Sequence, residues 1–463
     1  MSLISTTKYL YFFVAFLLIL PSVLIADNPS YLTVNQLTEE SKKLYIGERY
    51  PEALEYALSA VKLVEYNSKD IHSLKLIIPL NNLAIIQEKL QYNSDAIKTY
   101  KRIIDLVERE GGVFDVRLSA LINRTGYLLQ KDNKHEQAIE LFQLSQHINH
   151  RAKGVYNLDQ ITTLNLMTNS YLLTGELDKA NATQNFRYLV NHHVYGQGSL
   201  LIVPSMIKLA KFKSMLRLYD DAWLLYTEAI QIIERSLDKN HLSLINLLLE
   251  LATIMQNQLA FGEYNEMKNI QFQFDVNEYD SQSSFNTSQK FRLPPRKSNT
   301  KEAFNALSRA VQIMDHHKEN ISLANRVAVY VNFGDLCMVT RNKRSQGIAM
   351  YIKAIQLLDS ESNTEILKQQ YFGQPKRLQY RKPKLFENSD NIDTIFIETT
   401  FIVLANGSVK NIKIVVANAS VYMRSQFKKE VRKSIYRPKF VNKKPVNAIE
   451  HLREEFVGEI SIT

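Results

Sequence analysis

His147 and His150 stand three residues apart, where a helix would put both on one face. Such a pair can hold a metal ion if a third ligand arrives from elsewhere, although polar histidines on a solvated face are the commoner outcome of the spacing. His192 and His193 fall in an expected connector, and His316 and His317 at an expected helix end. The one cysteine, Cys337, can form no internal disulfide and sits among apolar residues at helical spacing, as a small buried hydrophobe does. No H-E-x-x-H, phosphate-binding glycine loop, G-x-S-x-G or paired-cysteine spacing occurs. The residues therefore predict no enzyme, no metal and no cofactor. Charge is the remaining resource. From Tyr371 onward there are 17 Lys and Arg against 9 Asp and Glu, which places +8 of the chain's net +10 in its last part. A field of that sign favours acidic extended partners.

The elements that must carry these residues are mostly helices. Glycine (14) and proline (11) are scarce among 463 residues, and 45% hydrophobic against 22% charged residues is the balance of a folded chain. The first 26 residues offer one lysine, an apolar run from Tyr9 to Leu20, then Pro21 and Ala26 before "DNPS". This is the order of a cleavable secretory signal, with Leu24 a poor fit to the small residue preferred three places before the cut. An uncleaved anchor from Tyr9 to Ile25 would be 17 residues, at the lower limit for crossing a bilayer. Either outcome places the bulk of the chain outside the cytoplasm, in the periplasm or anchored at its inner membrane, and argues against nucleic acid as a partner.

The middle of the chain repeats. Aligning "YPEALEYALSAV", "NSDAIKTYKRII", "HEQAIELFQLSQ", "LDKANATQ" and "YDDAWLLYTEAI" brings Ala53, Ala96, Ala138, Ala180 and Ala222 into register, 43, 42, 42 and 42 residues apart. Twelve places earlier stand Ser41, Ala84, Gly126, Thr168 and Ala210, and four places later Ala57, Tyr100, Phe142, Gln184 and Tyr226. Small residues at fixed points let two helices approach, and the large residue fills the groove beside them. The pattern resembles the tetratricopeptide repeat, with each helix lengthened by about one turn. A sixth unit has Ala252 in its first helix and Ala303 in its second; a polar stretch containing Pro294 and Pro295 lies between them and reads as a disordered insertion. A seventh unit carries Gly334, then Gly347, Tyr351 and Ala354. The resemblance implies an α-solenoid whose concave face holds a peptide or partner helix.

The tail changes period. Ile395, Ile397, Thr399, Phe401 and Val403 alternate onto one face of a strand. Asn406-Gly407 then signals a hairpin in which both turn residues take positive φ. A second strand follows from Val409 to Ala417, then a helix with Val421, Phe427, Val431 and Ile435 toward the sheet. "YRPKF" ends the helix, and "NKKPV" turns into a last strand near Ile449 to Phe456. The motifs "FIVLANGSVKNIKIV" and "YRPKFVNKKPV" resemble the TonB C-terminal domain over residues 393–463. That resemblance implies a ββαβ domain in the periplasm, which adds an extended segment of an outer-membrane transporter's plug to its sheet edge. Tyr436 and Pro438 match the family's aromatic-proline element. Ile449, His451, Arg453 and Glu455 lie on the outward face of the last strand as partner-binding candidates. The proline-rich span and the ionisable residue within the membrane segment that belong to energy-transmitting members are missing.

The expectation is thus a mostly α chain in six parts: a signal at 1–26, tetratricopeptide-like repeats at 32–262, an insertion at 263–300, further repeats at 301–370, a basic linker at 371–392, and the TonB-like domain at 393–463. It reads as an adaptor between protein partners, in transporter energisation or envelope assembly. The alternatives are a membrane-anchored energy transducer and an envelope enzyme that carries these domains as accessories.

Overall fold

The computed structural model describes residues 32–68, 70–261, 299–380 and 395–456. The chain divides into two compact units after Gly175. In the first, α1 (Val34–Ile46) pairs with α2 (Tyr50–Ser68), α3 (Ile77–Lys89) with α4 (Asn93–Gly111), and α5 (Arg117–Lys131) with α6 (His135–Lys153). Helix α7 (Ile161–Leu173) packs on α6. In the second, α8 (Leu177–Tyr195) packs on α9 (Val203–Met215), which pairs with α10 (Tyr219–Ser236). Helix α11 (Leu244–Phe261) pairs with α12 (Thr300–His316), and α13 (Leu323–Val339) with α14 (Arg344–Asp359). These are tetratricopeptide-like helical hairpins, in the register of the sequence repeat. The N-terminal signal lies outside the described residues, as does the expected insertion except for Asn299 and Thr300, which cap and begin α12.

The register rests on close packing. Ala53, Ala96, Ala138, Ala180, Ala222 and Ala303 have no exposed surface. The Ser41 hydroxyl donates to the Ala53 carbonyl oxygen at 2.8 Å, helix to helix. A Cβ on Gly126 would come within 2.5 Å of the Phe142 ring, and one on Gly334 would meet the Tyr351 ring. One expectation is corrected: the added length of the repeat is not shared equally between its helices. Second helices α2, α4, α6 and α8 have 19 residues each, while first helices α1, α3 and α7 have 13. Single 3-10 turns (Leu74–Leu76, Leu158–Gln160) lead into α3 and α7.

Among the described residues, the turns that follow α1, α3, α5, α7, α9 and α13 each hold one residue in the left-handed region: Glu48, Gln91, Asn133, Gly175, Arg217 and Asn342. Only one of these is glycine. Adopting that conformation costs other L-residues roughly 1–2 kcal/mol, so packing of the flanking helices imposes the turn.

The C-terminal part belongs to the second unit. After α15 (Glu365–Phe372) comes β1 (Lys376–Gln379), then β2 (Ile395–Val403), β3 (Val409–Ala417), α16 (Val421–Lys433), β4 (Ile435–Arg437), β5 (Lys439–Val441), β6 (Lys444–Val446) and β7 (Ala448–Phe456). Among the described residues three sheets result: β3-β2-β7, β1-β4 and β5-β6, every pairing antiparallel. The predicted β2 face holds, with Ile397, Thr399, Phe401 and Val403 buried and the Thr399 hydroxyl donating to the Lys413 carbonyl oxygen at 2.7 Å. On α16 the sequence pattern misplaces two contacts: Ile435 falls outside the helix, in β4, and packs against the core of the last repeat. Met423, Phe427 and Val431 are buried, whereas Val421 is 81% exposed at the first turn. Nor do residues 371–380 form a linker: Tyr371 and Phe372 finish α15, and β1 pairs with β4.

The two turn motifs exchange roles. At Asn406-Gly407 only Gly407 has positive φ. The Gly407 N–H donates to the Leu404 carbonyl and the Leu404 N–H to the Ser408 carbonyl, each at 2.8 Å, which makes a longer turn closed by a glycine. The two-residue turn with both φ positive is instead Asn442-Lys443, which links β5 to β6.

Candidate functional site

A sheet accepts a partner strand only where an edge is straight and open. The three-stranded sheet has two edges, and they differ. Strand β3 carries two irregularities against β2. Val415 is an extra residue between the pairs Glu398↔Val416 and Thr399↔Ile414, and Asn411, at φ 53, lies in the second. Bulges of this kind twist an edge away from further pairing, and Lys410 and Lys413 add exposed charge there. Strand β7, by contrast, pairs with β2 residue for residue from Val403↔Ala448 to Ile395↔Phe456 without a shift. Its outer edge has no paired strand among the described residues.

The partner-binding candidates separate into two groups. Ile449, His451, Arg453 and Glu455 alternate along β7 as exposed residues, with Ile449 68% exposed. The Arg453 guanidinium lies 4.4 Å over the Phe396 ring, 3.8 Å from the Glu398 carboxylate and 3.2 Å from Glu455, so its charge is spent on its own sheet. Tyr436 and Pro438 are buried. The Tyr436 ring packs 5.8 Å from Phe401, inside the tail's core.

The residue between them decides what the "YRPKF" stretch does. Arg437 is 1% exposed. Its Nε donates to Asp335 Oδ1 at 2.9 Å, its Nη2 to Oδ2 at 2.6 Å, and its Nη1 to the Tyr371 carbonyl at 3.0 Å. Asp335 belongs to α13 of the last repeat and also accepts from the Tyr351 hydroxyl at 2.7 Å. Burial works against the Arg437 charge, and the Asp335 carboxylate more than restores it, so the guanidinium titrates above its usual range. Burial and the same carboxylate push the Tyr351 phenol well up. Phe440, two residues beyond Pro438, completes an aromatic trio, 5.8 Å from Tyr351 and 5.4 Å from Phe372. Val327, Val331, Met338, Tyr351, Leu358, Leu378 and Phe440 belong to one core, so the last repeat and the tail share it. The hairpin tip joins them: the Gly407 carbonyl accepts from the Tyr436 N–H at 2.9 Å, and a Cβ at Gly407 would strike Met338.

Asp335 and Arg437 were not singled out by the sequence. A usable signal was an acid inside the apolar run "VYVNFGDLCMV", since a buried carboxylate must find a cation or a proton. Which of 57 lysines and arginines supplies it is a tertiary fact.

Beside this joint is a cleft of about 520 Å³ lined by Ile355, Asp359, Lys368, Phe372, Phe440 and Lys443, among others. Asp359 bridges Lys443 at 2.9 Å and Lys368 at 3.0 Å, so its charges answer one another and tie the β5-β6 hairpin to α14. The histidines do not assemble. His150 faces Gln160 Oε1 at 2.8 Å, and burial lowers its pKa; His147 stacks edge-on to Phe114. His192 and His193 lie in the last turn of α8, not in a connector. No group of three metal-ligating side chains occurs among the described residues. Cys337 is fully buried, which pushes its thiol up to about 11.

No family model and no curated protein matches the chain. Solved structures do. The C-terminal part of a TPR repeat-containing protein from Cytophaga hutchinsonii aligns at 11% identity and a TM-score of 0.40, covering 71% of this chain and 97% of that one. A kinesin light chain with nearly identical TPR-like repeats from Podosopora anserina gives 12%, 0.38, 46% and 99%. BtubC from P. vanneervenii gives 14%, 0.35, 66% and 98%. Likeness at this level says nothing of function, and the repeat assignment rests on the register above.

Proposed function

We propose that the protein is a periplasmic adaptor. Its tetratricopeptide-like repeats hold one protein partner, and its C-terminal sheet, a TonB C-terminal-like domain, pairs with an extended segment of a second, such as the plug region of an outer-membrane transporter. The observation that carries this reading is the contrast between the two sheet edges: β3 is bulged twice, while β7 runs in unbroken register and offers its outer side. A nine-residue strand turns about half its backbone groups outward. Some four to six hydrogen bonds at roughly 0.5–1.5 kcal/mol net each, less the cost of ordering the segment, correspond to micromolar affinity or weaker.

The joint at Arg437 supports the adaptor ahead of the membrane-anchored energy transducer. Strands β1, β4 and β5 pack into the core of the last repeat, and Gly407 of the β2-β3 turn meets Tyr436 and Met338, which presents β7 at a fixed place on that repeat rather than at the end of a free tether. The periplasmic location rests on the secretory reading of the N-terminal residues.

The test is titration of the full chain with extended peptides from transporter plugs, each compared with copies N-methylated at alternate backbone amides. Strand pairing predicts that one set of alternate methylations abolishes binding and the other leaves it. Equal tolerance of both sets would refute it.

A further inference from the structure

The basic tail does not present a basic edge. Among the described residues its Lys and Arg cluster on β3 (Lys410, Lys413), α16 (Arg424, Lys428, Lys429, Arg432, Lys433) and the β5-β6 hairpin (Lys439, Lys443, Lys444). Strand β7 holds three glutamates, Glu450, Glu454 and Glu455, against Arg453 alone. Arg453 is already engaged by Phe396, Glu398 and Glu455. Glu454 meets Arg377 at 3.5 Å. Glu450, on the inner face, is half-buried and has no cation paired with it among the described residues. Burial raises its pKa, with the neighbouring His451 acting the other way. Leu452 lies between the two inner glutamates, partly buried against the tail's core.

We infer that the segment received at the β7 edge is basic: it sets Lys or Arg opposite Glu450, an apolar residue opposite Leu452, and no acid opposite Glu454. The inference rests on β7 being the receiving edge and reverses the preference that net charge alone suggests. An added strand would face Glu450, Leu452 and Glu454 with residues two apart on its own inner face. A cation there pairs with a carboxylate that would otherwise lose water with nothing in return. An acid there adds like charges across the strands.

The experiment titrates the full chain with three labelled peptides of one design: Thr-Lys-Thr-Val-Thr-Lys-Thr and its Gln and Glu counterparts. The Lys peptide should bind about tenfold tighter than the Glu peptide at low salt, with the gap shrinking as salt is added. Glu450→Gln should narrow the gap and Glu450→Lys reverse it, while circular dichroism of both variants matches the parent. If none of the three binds, the receiving-edge reading fails and takes the inference with it. If all three bind alike, or the Glu450 variants leave the order unchanged, the inference alone is overturned.

Discussion

The Asp335–Arg437 pair is the buried polar contact between the tail and the last repeat, and its removal has a calculable effect. Two charge-assisted hydrogen bonds at 2.9 and 2.6 Å join side chains only 8% and 2% exposed. Asp335→Asn leaves a guanidinium buried without a counterion, and Arg437→Gln leaves a carboxylate held by the Tyr351 hydroxyl alone. Deleting one partner of a buried pair costs about 3–5 kcal/mol, most of it the desolvation of the survivor. The double variant buries no orphan charge, so it should cost no more than the worse single, a coupling of about 3 kcal/mol. Repeat arrays do not unfold all at once, so the readout is local: opening free energies from amide exchange in α13 and β4, with Trp223 fluorescence following the hairpin it belongs to. Exchange in both elements should rise together in each single variant while the Trp223 signal holds. Single effects below about 1 kcal/mol, or effects that simply add, would show that the pair does not fasten the tail.

Gly126→Leu should destabilise the first unit by about 1–3 kcal/mol in urea, because its side chain must displace the Phe142 ring; an unchanged midpoint would contradict the repeat register. Lys443→Ala should raise the pKa of Asp359, which hydrogen bonds from Lys443 first and Lys368 second hold below the usual carboxylate value. A lowered carboxylate pKa gives stability present above the ordinary range and lost as pH falls through the lowered value. Carboxyl NMR of parent and variant should therefore show the Asp359 titration moving up, and a stationary midpoint would remove Lys443 from the tie to α14.

Much of the architecture was legible because the signals are local and repeated. Alanines near a 42-residue spacing and the small–large pairs mark two helices that must touch, and the alternation from Ile395 to Val403 marks a half-buried strand. Misreadings arose where a tertiary contact overrides a local pattern. Asn406-Gly407 has the composition of a two-residue turn, yet Gly407 is drawn against Tyr436 and Met338, and the longer turn results. Val421 suits the buried face of α16 by spacing, but at the first turn it is exposed, and Met423 takes the buried place. Lys376–Gln379 looks like linker because it is basic and short; β4 supplies the pairing that makes it a strand. The site divides in the same way. The exposed residues of β7 follow from alternation alone. That Tyr436 and Pro438 are interior, and that the arginine between them reaches a repeat helix 102 residues away in sequence, does not.

Whether β7 receives a partner strand is read most directly from amide exchange of the full chain at saturating peptide. Strand pairing there predicts new protection at alternate amides between Ala448 and Phe456, with β3 unchanged. Protection confined to β3 or to the repeats, with β7 exchanging as in the free protein, would contradict it.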